Sequence, residues 1–275
     1  MGLRIGTNMA ALSAIKYMRG SQAETNRAMA QLASGSRLAT SDEDPASFSI
    51  SEHLRGQASG LRASRLNADN AISLIQVAEG GLNEQNNIII RLRELAIQAA
   101  SDTVSDVERQ MLNDEFQQLS SEVDRVSKTT QFGSNKLLIG SGKKFEFQVG
   151  AYGGKENKIS YSLEANTSSD SLGLNHLGLA DKDDAVDAIA DLDEALSKIG
   201  VARASFGSLQ SRLQHAVDHL LSHEISIEEA RSKMADTDVA DAVTKMTKGK
   251  IQTQYQIAVL SQANILEQSA LRLLD

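Results

Sequence analysis

Cysteine and tryptophan are absent from this 275-residue chain, proline occurs once, and aromatic side chains make up only 4% of it. The first absence excludes disulfides, thiolate metal sites and a cysteine nucleophile. The shortage of aromatics points to thin layers of aliphatic residues instead of one thick core, because large rings supply much of the burial in globular interiors. A single proline leaves long helices uninterrupted. Basic residues are also scarce: 28 Lys and Arg against 36 Asp and Glu give a net charge of −8, which removes the attraction to phosphate backbones that nucleic-acid binders rely on. No run is long and apolar enough to insert in a membrane, and residues 1–20 contain no continuous apolar core of signal-peptide length.

What the sequence has is heptads. Leu54, Leu61, Ala68, Ile75, Leu82, Ile89 and Ala96 recur every seven residues, which predicts a long helix with a coiled-coil seam. The companion seam, Ile50, Gln57, Ser64, Ala71, Ala78, Gln85, Leu92 and Ala99, is smaller and more polar, so its partners must pack closely. Asp44 before Pro45 supplies an N-cap and a first-turn proline. After a break at Ser101–Val104, Ser105 and Glu108 form a capping box that opens a second helix carrying Leu112, Phe116, Leu119, Val123 and Val126. A third seam, Leu192, Ile199, Phe206, Leu213 and Leu220, predicts an antiparallel partner for the first, and a second capping box, Ser226 with Glu229, predicts a restart after Ser222–Ile225.

Between these helices the period changes to two. Phe145, Phe147, Val149 and Ile159, Tyr161, Leu163, punctuated by glycines, predict a β-hairpin within about 137–163. Residues 164–182, rich in Ser, Asn, Gly and Asp, read as an exposed tip loop, where Asn166, Thr167, Ser168 and Ser169 are candidates for sugar attachment. The fold class is therefore mainly α, a long antiparallel helical coiled-coil bundle with a small β-hairpin at the tip. Both chain ends carry apolar residues among Ala, Ser, Gln and Gly, including Leu12, Ile15 and Leu32 near the start and Val243, Met246, Ile257, Leu260 and Leu266 near the end. Helices without packing partners are marginal in water, so these residues are the candidate self-assembly surface.

Other candidate sites are weaker. His215, His219 and His223 share one helical face and could offer imidazoles to zinc, or form a solvated polar stripe; no carboxylate spacing completes a metal site. His223–Glu224 begins a zinc-protease pattern, but Ile227 stands where the second histidine belongs. Gly140, Gly142, Lys143 and Lys144 have the wrong spacing for a phosphate loop, and the acidic run Asp181–Glu194 lacks EF-hand spacing. No cofactor and no enzymatic activity are expected.

The stretches QLASGSRLATSDEDPASFSI (31–50), NADNAISLIQVAEGGLNEQNNIIIRLRELAIQAA (67–100), EVDRVSKTTQFGSNKLL (122–138), FQVGA (147–151) and EARSKMADTDVADAVTKMTKGKIQTQYQIAVLSQANILEQSALRLLD (229–275) closely resemble bacterial flagellin. The resemblance implies a structural, self-assembling subunit of the filament used for swimming motility, short enough to lack the variable outer domains. A hook–filament junction protein is the alternative. It further implies an inner-core domain from 1–43 and 236–275 and an outer-core domain from 44–235. The implied localisation is extracellular, in the flagellum, after export through the flagellar type III system without a cleaved signal. The implied partners are other copies of the chain, an export chaperone, a filament cap and hook-junction proteins. Arg91, Leu95 and Glu115 fall at positions that, in flagellins sensed by the vertebrate Toll-like receptor for flagellin, contribute to that innate immune contact. The same residues also read as an interhelical polar pair beside a partly buried leucine.

Overall fold

The computed structural model describes residues 8–40 and 42–272, those from 266 onward by backbone alone. Its helices are α1 (Met9–Ser34), α2 (Pro45–Ala99), α3 (Asp106–Thr129), the one-turn α4 (Ser169–Leu172), α5 (Lys182–Ala235) and α6 (Val239–Arg272). Strands β1 (Gln131–Phe132) and β2 (Asn135–Lys136) form one short antiparallel pair, and β3 (Lys144–Gln148) and β4 (Lys158–Ser162) form another. The chain makes two compact units, residues 58–225 and residues 1–57 with 226–275.

The unit of residues 58–225 is built on the heptad seams. From Leu61 onward the leucine–isoleucine seam of α2 is buried, with Ala68, Ile75, Leu82, Ile89 and Ala96 fully enclosed, as are Leu192, Ile199, Phe206 and Leu213 of α5. The two helices run antiparallel, clasped by Arg93 to Asp193 at 2.7 Å and by Arg62 to Glu224 at 2.9 Å. The small companion seam of α2, Ala71, Ala78 and Gln85, lets other segments approach. A methyl on Gly81 would lie 2.6 Å from the Thr130 hydroxyl and 2.9 Å from Leu138. Buried Gln85 reaches across and donates from Nε2 to the carbonyls of Val123 at 3.1 Å and Thr167 at 3.0 Å.

At the turn between α2 and α3 the predicted capping box is present: the Ser105 hydroxyl accepts from the Glu108 amide, and Glu108 accepts from the Ser105 amide. The Ser105 amide, then its hydroxyl, holds the Glu108 carboxyl below its ordinary pKa. Arg109 is buried beneath this turn and donates from Nε to the Ala99 carbonyl at 2.9 Å and from Nη2 to the Val104 carbonyl at 3.3 Å. A cation thereby satisfies the carbonyl left over at the last residue of α2 and one more in the turn that follows.

Two expectations need correction. No restart occurs at Ser226: α5 continues unbroken to Ala235. A Ser-x-x-Glu sequence caps a helix only where the backbone has already left helical geometry, and here Glu224, 8% exposed, is drawn against α2 by Arg62 and, at 3.6 Å, by Arg65. Residues 164–182 are not an exposed tip loop either. Thr167, Ser169, Leu172, Leu174 and Leu179 are buried in or beside the core, and the Thr167 amide donates to the Leu138 carbonyl at 2.9 Å. Thr167 and Ser169 are therefore poor sugar acceptors, whereas Asn166 is exposed and Ser168 half-buried. The hairpin itself is shorter than 137–163, pairing Lys144–Gln148 with Lys158–Ser162. It is fixed to α5 by Tyr161, whose ring lies 5.4 Å from that of Phe206 and whose hydroxyl is 3.1 Å from the Ser205 hydroxyl.

Candidate assembly surface

In the unit formed by the two chain ends, α1 and α6 run antiparallel. Asn8 caps α1 by accepting from the Ala11 amide at 2.7 Å, and its Nδ2 donates to the Ala263 carbonyl at 3.3 Å. At the other end Gly35, with φ +69°, terminates α1 in the left-handed region that favours glycine. The Thr237 amide then donates to the Gly35 carbonyl at 3.0 Å, and the Arg37 amide to the Ala235 carbonyl at 2.7 Å. These bonds fix the register of α1 against α6.

The facing residues are small. Ala11, Ala14, Ser21, Thr25 and Ala28 of α1 are buried, with half-buried Met18 and Leu32 completing a run of three- and four-residue steps. On α6 the corresponding run is Ala242, Met246, Gly249, Thr253, Gln256, Leu260 and Ala263, of which Ala242, Gly249 and Ala263 are buried. At the centre the backbones approach so closely that a methyl on Gly249 would sit 2.2 Å from the Thr25 hydroxyl oxygen. Gln256 donates from Nε2 to the Ser21 hydroxyl at 2.9 Å, and the Thr25 hydroxyl donates to the Ser21 carbonyl at 2.8 Å.

A seam of this kind turns the large apolar side chains outward. Of the sequence-predicted assembly residues, Leu12, Val243 and Ile257 point away from the seam, 53%, 41% and 55% exposed. Ile15 is half-buried beside the seam, and Leu32, Met246 and Leu260 occupy half-buried seam positions. Those three help hold the chain's own helices together. Leu266 lies outside the described side chains. Tyr17 of α1 and Ile251 and Tyr255 of α6 are also outward, 67%, 61% and 69% exposed. Apolar residues on every face of α6 leave no single stripe to mark the latter two.

The remaining candidates lie in the other unit. Arg91 of α2 donates to Glu115 of α3 from Nη2 at 2.9 Å and Nε at 3.2 Å, and from Nη1 to Glu94 at 3.1 Å. These bonds, Glu115 first, raise the Arg91 pKa above its ordinary value. Leu95 is fully buried in the core and forms no exposed knob. His219 and His223 have ring centroids 6.1 Å apart, and His215 lies one turn before them. Among the described residues no three His, Asp or Glu side chains are grouped to hold a metal ion.

Residues 5–143 match the model of the bacterial flagellin N-terminal helical region, and residues 189–274 match that of the bacterial flagellin C-terminal helical region. The chain is similar to a flagellin of Halalkalibacterium halodurans, at 35% identity over 98% of this chain and 99% of that one. It is similar also to the flagellar filament 30.7 kDa core protein of Treponema maltophilum, at 32% identity over 98% and 99% of the two chains. Among solved structures it resembles Bacillus cereus flagellin at 32% identity and a TM-score of 0.50, over 56% of this chain and 88% of that one.

The close approach of α1 and α6 is testable by a rescue experiment. Gly249→Ala weakens the helix pair by about 1–3 kcal/mol through overpacking. Adding Thr25→Ala removes the obstructing hydroxyl and restores most of the loss, because the Thr25 Cβ lies 3.5 Å from the added methyl. Hydrogen exchange at seam amides of the assembled chain measures both; equal exchange in wild type and Gly249→Ala contradicts the close-packed seam.

Proposed function

This chain belongs to the bacterial flagellin family and is a structural subunit of the flagellar filament, and from that premise we propose that it polymerises through the outward apolar surface of α1 and α6. The observation that carries this reading is the distribution of side-chain size in that unit: the buried seam positions are Ala, Ser, Thr and Gly, with Met18, Leu32, Met246 and Leu260 only half-buried among them, while Leu12, Tyr17, Val243, Ile251, Tyr255 and Ile257 are exposed. In our reading, the terminal segments of an incoming copy gain their helical packing as they bury these side chains against copies already in place. Ordering cost and burial gain then fall in a single step. Contacts between unlike patches that repeat without closing generate a helical filament. We assign 1–43 and 236–275, which fall within the unit of the chain ends, as the inner core, and 44–235 as the outer core.

Filament components lie outside the cell in the flagellum; we assign export to the flagellar type III route, with a chaperone on α6 before export and cap and hook-junction proteins at the two ends of the filament. The lack of cysteine and the single proline support this, since neither disulfide reshuffling nor repeated prolyl isomerisation delays refolding at a distal end. We also assign Arg91 and Glu115 as the exposed contact for the Toll-like receptor, with Leu95 beneath them as a packing residue that holds α2 in place.

Seeded growth tests the assembly reading. Sheared filaments elongate with wild-type chain, whereas Ile251→Ser with Ile257→Ser slows elongation at least about tenfold through the loss of apolar burial, with the soluble chain's thermal melting unchanged; elongation at the wild-type rate contradicts the assignment. For the receptor surface, Arg91→Glu abolishes signalling by the wild-type-sensed monomer, and an unchanged dose–response removes the contact.

A further inference from the structure

Methionine is the only sulfur-bearing residue here, with seven methionines and no cysteine, so a peroxide meets no thiol before it meets a thioether. The distribution is uneven. Met9, Met18, Met29, Met234 and Met246 lie in the unit of the chain ends, and Met111 alone among the described methionines lies in the other. Met18 and Met246 are half-buried at seam positions. Met9 and Met29 stand on the outward surface of α1, 63% and 41% exposed.

We propose that Met9 and Met29 are oxidation sites that gate assembly: hydrogen peroxide converts their thioethers to sulfoxides in the unassembled chain, and the oxidised chain no longer joins a filament. The inference rests on the reading of the α1 and α6 surface as the one that neighbouring copies cover. In the chemical step a sulfur lone pair attacks one peroxide oxygen, the O–O bond breaks as the S–O bond forms, and the departing hydroxide takes up the proton of the attacked oxygen and leaves as water. Sulfur loses two electrons and peroxide gains them, so the step balances without a further reactant.

The consequence follows from polarity. A thioether is a flexible apolar group suited to filling irregular apolar contacts, whereas a sulfoxide carries a strong acceptor oxygen. Buried against the Leu, Ile and Val side chains that make up this surface, that oxygen has no donor and resists burial. Leucine keeps the volume of methionine at modest cost and has no sulfur, so Met→Leu separates oxidation from packing. The same geometry makes the gate one-way, because a neighbour that covers Met9 and Met29 also excludes the oxidant.

The test treats full-length monomer with hydrogen peroxide, quenches with catalase, counts sulfoxides by peptide mass spectrometry and adds the chain to untreated sheared filaments. The expected result is sulfoxide at Met9 and Met29, elongation reduced at least about tenfold, and recovery after treatment with a methionine sulfoxide reductase. Because the chain ends pack only on assembly in this reading, the seam thioethers are removed first: in a Met18→Leu, Met246→Leu background, peroxide still blocks elongation, whereas adding Met9→Leu and Met29→Leu gives a chain that elongates filaments before and after peroxide alike, and adding Met111→Leu instead does not. Unimpaired growth of oxidised wild type, or growth of the chain lacking Met9 and Met29 lost to peroxide as fully as in that background, overturns the gate while leaving the filament assignment intact. Failure of untreated wild type to elongate seeds overturns the assembly reading, and the gate with it.

Discussion

The distance between α1 and α6 governs much of what this chain does. At Thr25 and Gly249 there is no room for one methyl group, and that separation holds only if residues with little or no side chain line the seam. Small residues bury little apolar area, and the hydrophobic gain scales with that area at about 25 cal/mol per Å². Ordering a residue costs about 1–2 kcal/mol of backbone entropy. Helices of 26 and 34 residues joined mainly by Ala, Ser, Thr and Gly, with Met18, Leu32, Met246 and Leu260 only half-buried between them, therefore gain less from one another than a leucine seam would give. The weak internal seam and the adhesive exterior are two consequences of the same constraint.

The unit of residues 58–225 solves the opposite problem. Its seams carry Leu, Ile and Phe inward, and three of its buried polar side chains are tied to neighbours: Gln85 donates to two backbone carbonyls, Arg109 donates to two more, and Glu224 faces two arginines. Exposed pairs such as Arg91–Glu115 and Arg93–Asp193 contribute orientation more than stability, since solvent screens them. One unit thus encloses a large apolar core of its own, while the other turns much of its apolar bulk outward.

Most of the helical framework was legible because seven-residue recurrence is a direct image of a buried stripe. Leu61 through Ala96 and Leu192 through Leu213 lie where their spacing put them, and the Asp44 and Ser105 caps are present, with the Asp44 carboxylate accepting from the Ser47 amide at 3.1 Å. Two kinds of information were not legible. Residues 164–182 bury Leu172, Leu174 and Leu179 within a stretch of Ser, Asn, Gly and Asp too short to sustain either period, so only long-range packing could reveal them as core. The Ser226–Glu229 pair satisfies a local rule that the Arg62–Glu224–Arg65 contact overrides from another helix. The outward face of the chain-end helices was half legible. Leu12, Val243 and Ile257 are exposed, but sequence alone could not separate them from Leu32, Met246 and Leu260, which lie on the seam side of the same helices. Tyr17, Ile251 and Tyr255 belong to faces that no single periodicity marks.

The central claim is that the helices of the chain ends depend on neighbouring copies, and hydrogen exchange resolved along the chain tests it most directly. Amides of 9–34 and 239–265 are expected to exchange rapidly in the free monomer and to become strongly protected in the filament, while those of 61–96 and 192–220 stay protected in both. Equal protection of α1 and α6 in monomer and filament would contradict the account, because it would mean that the small-residue seam is stable without the outward surface being covered.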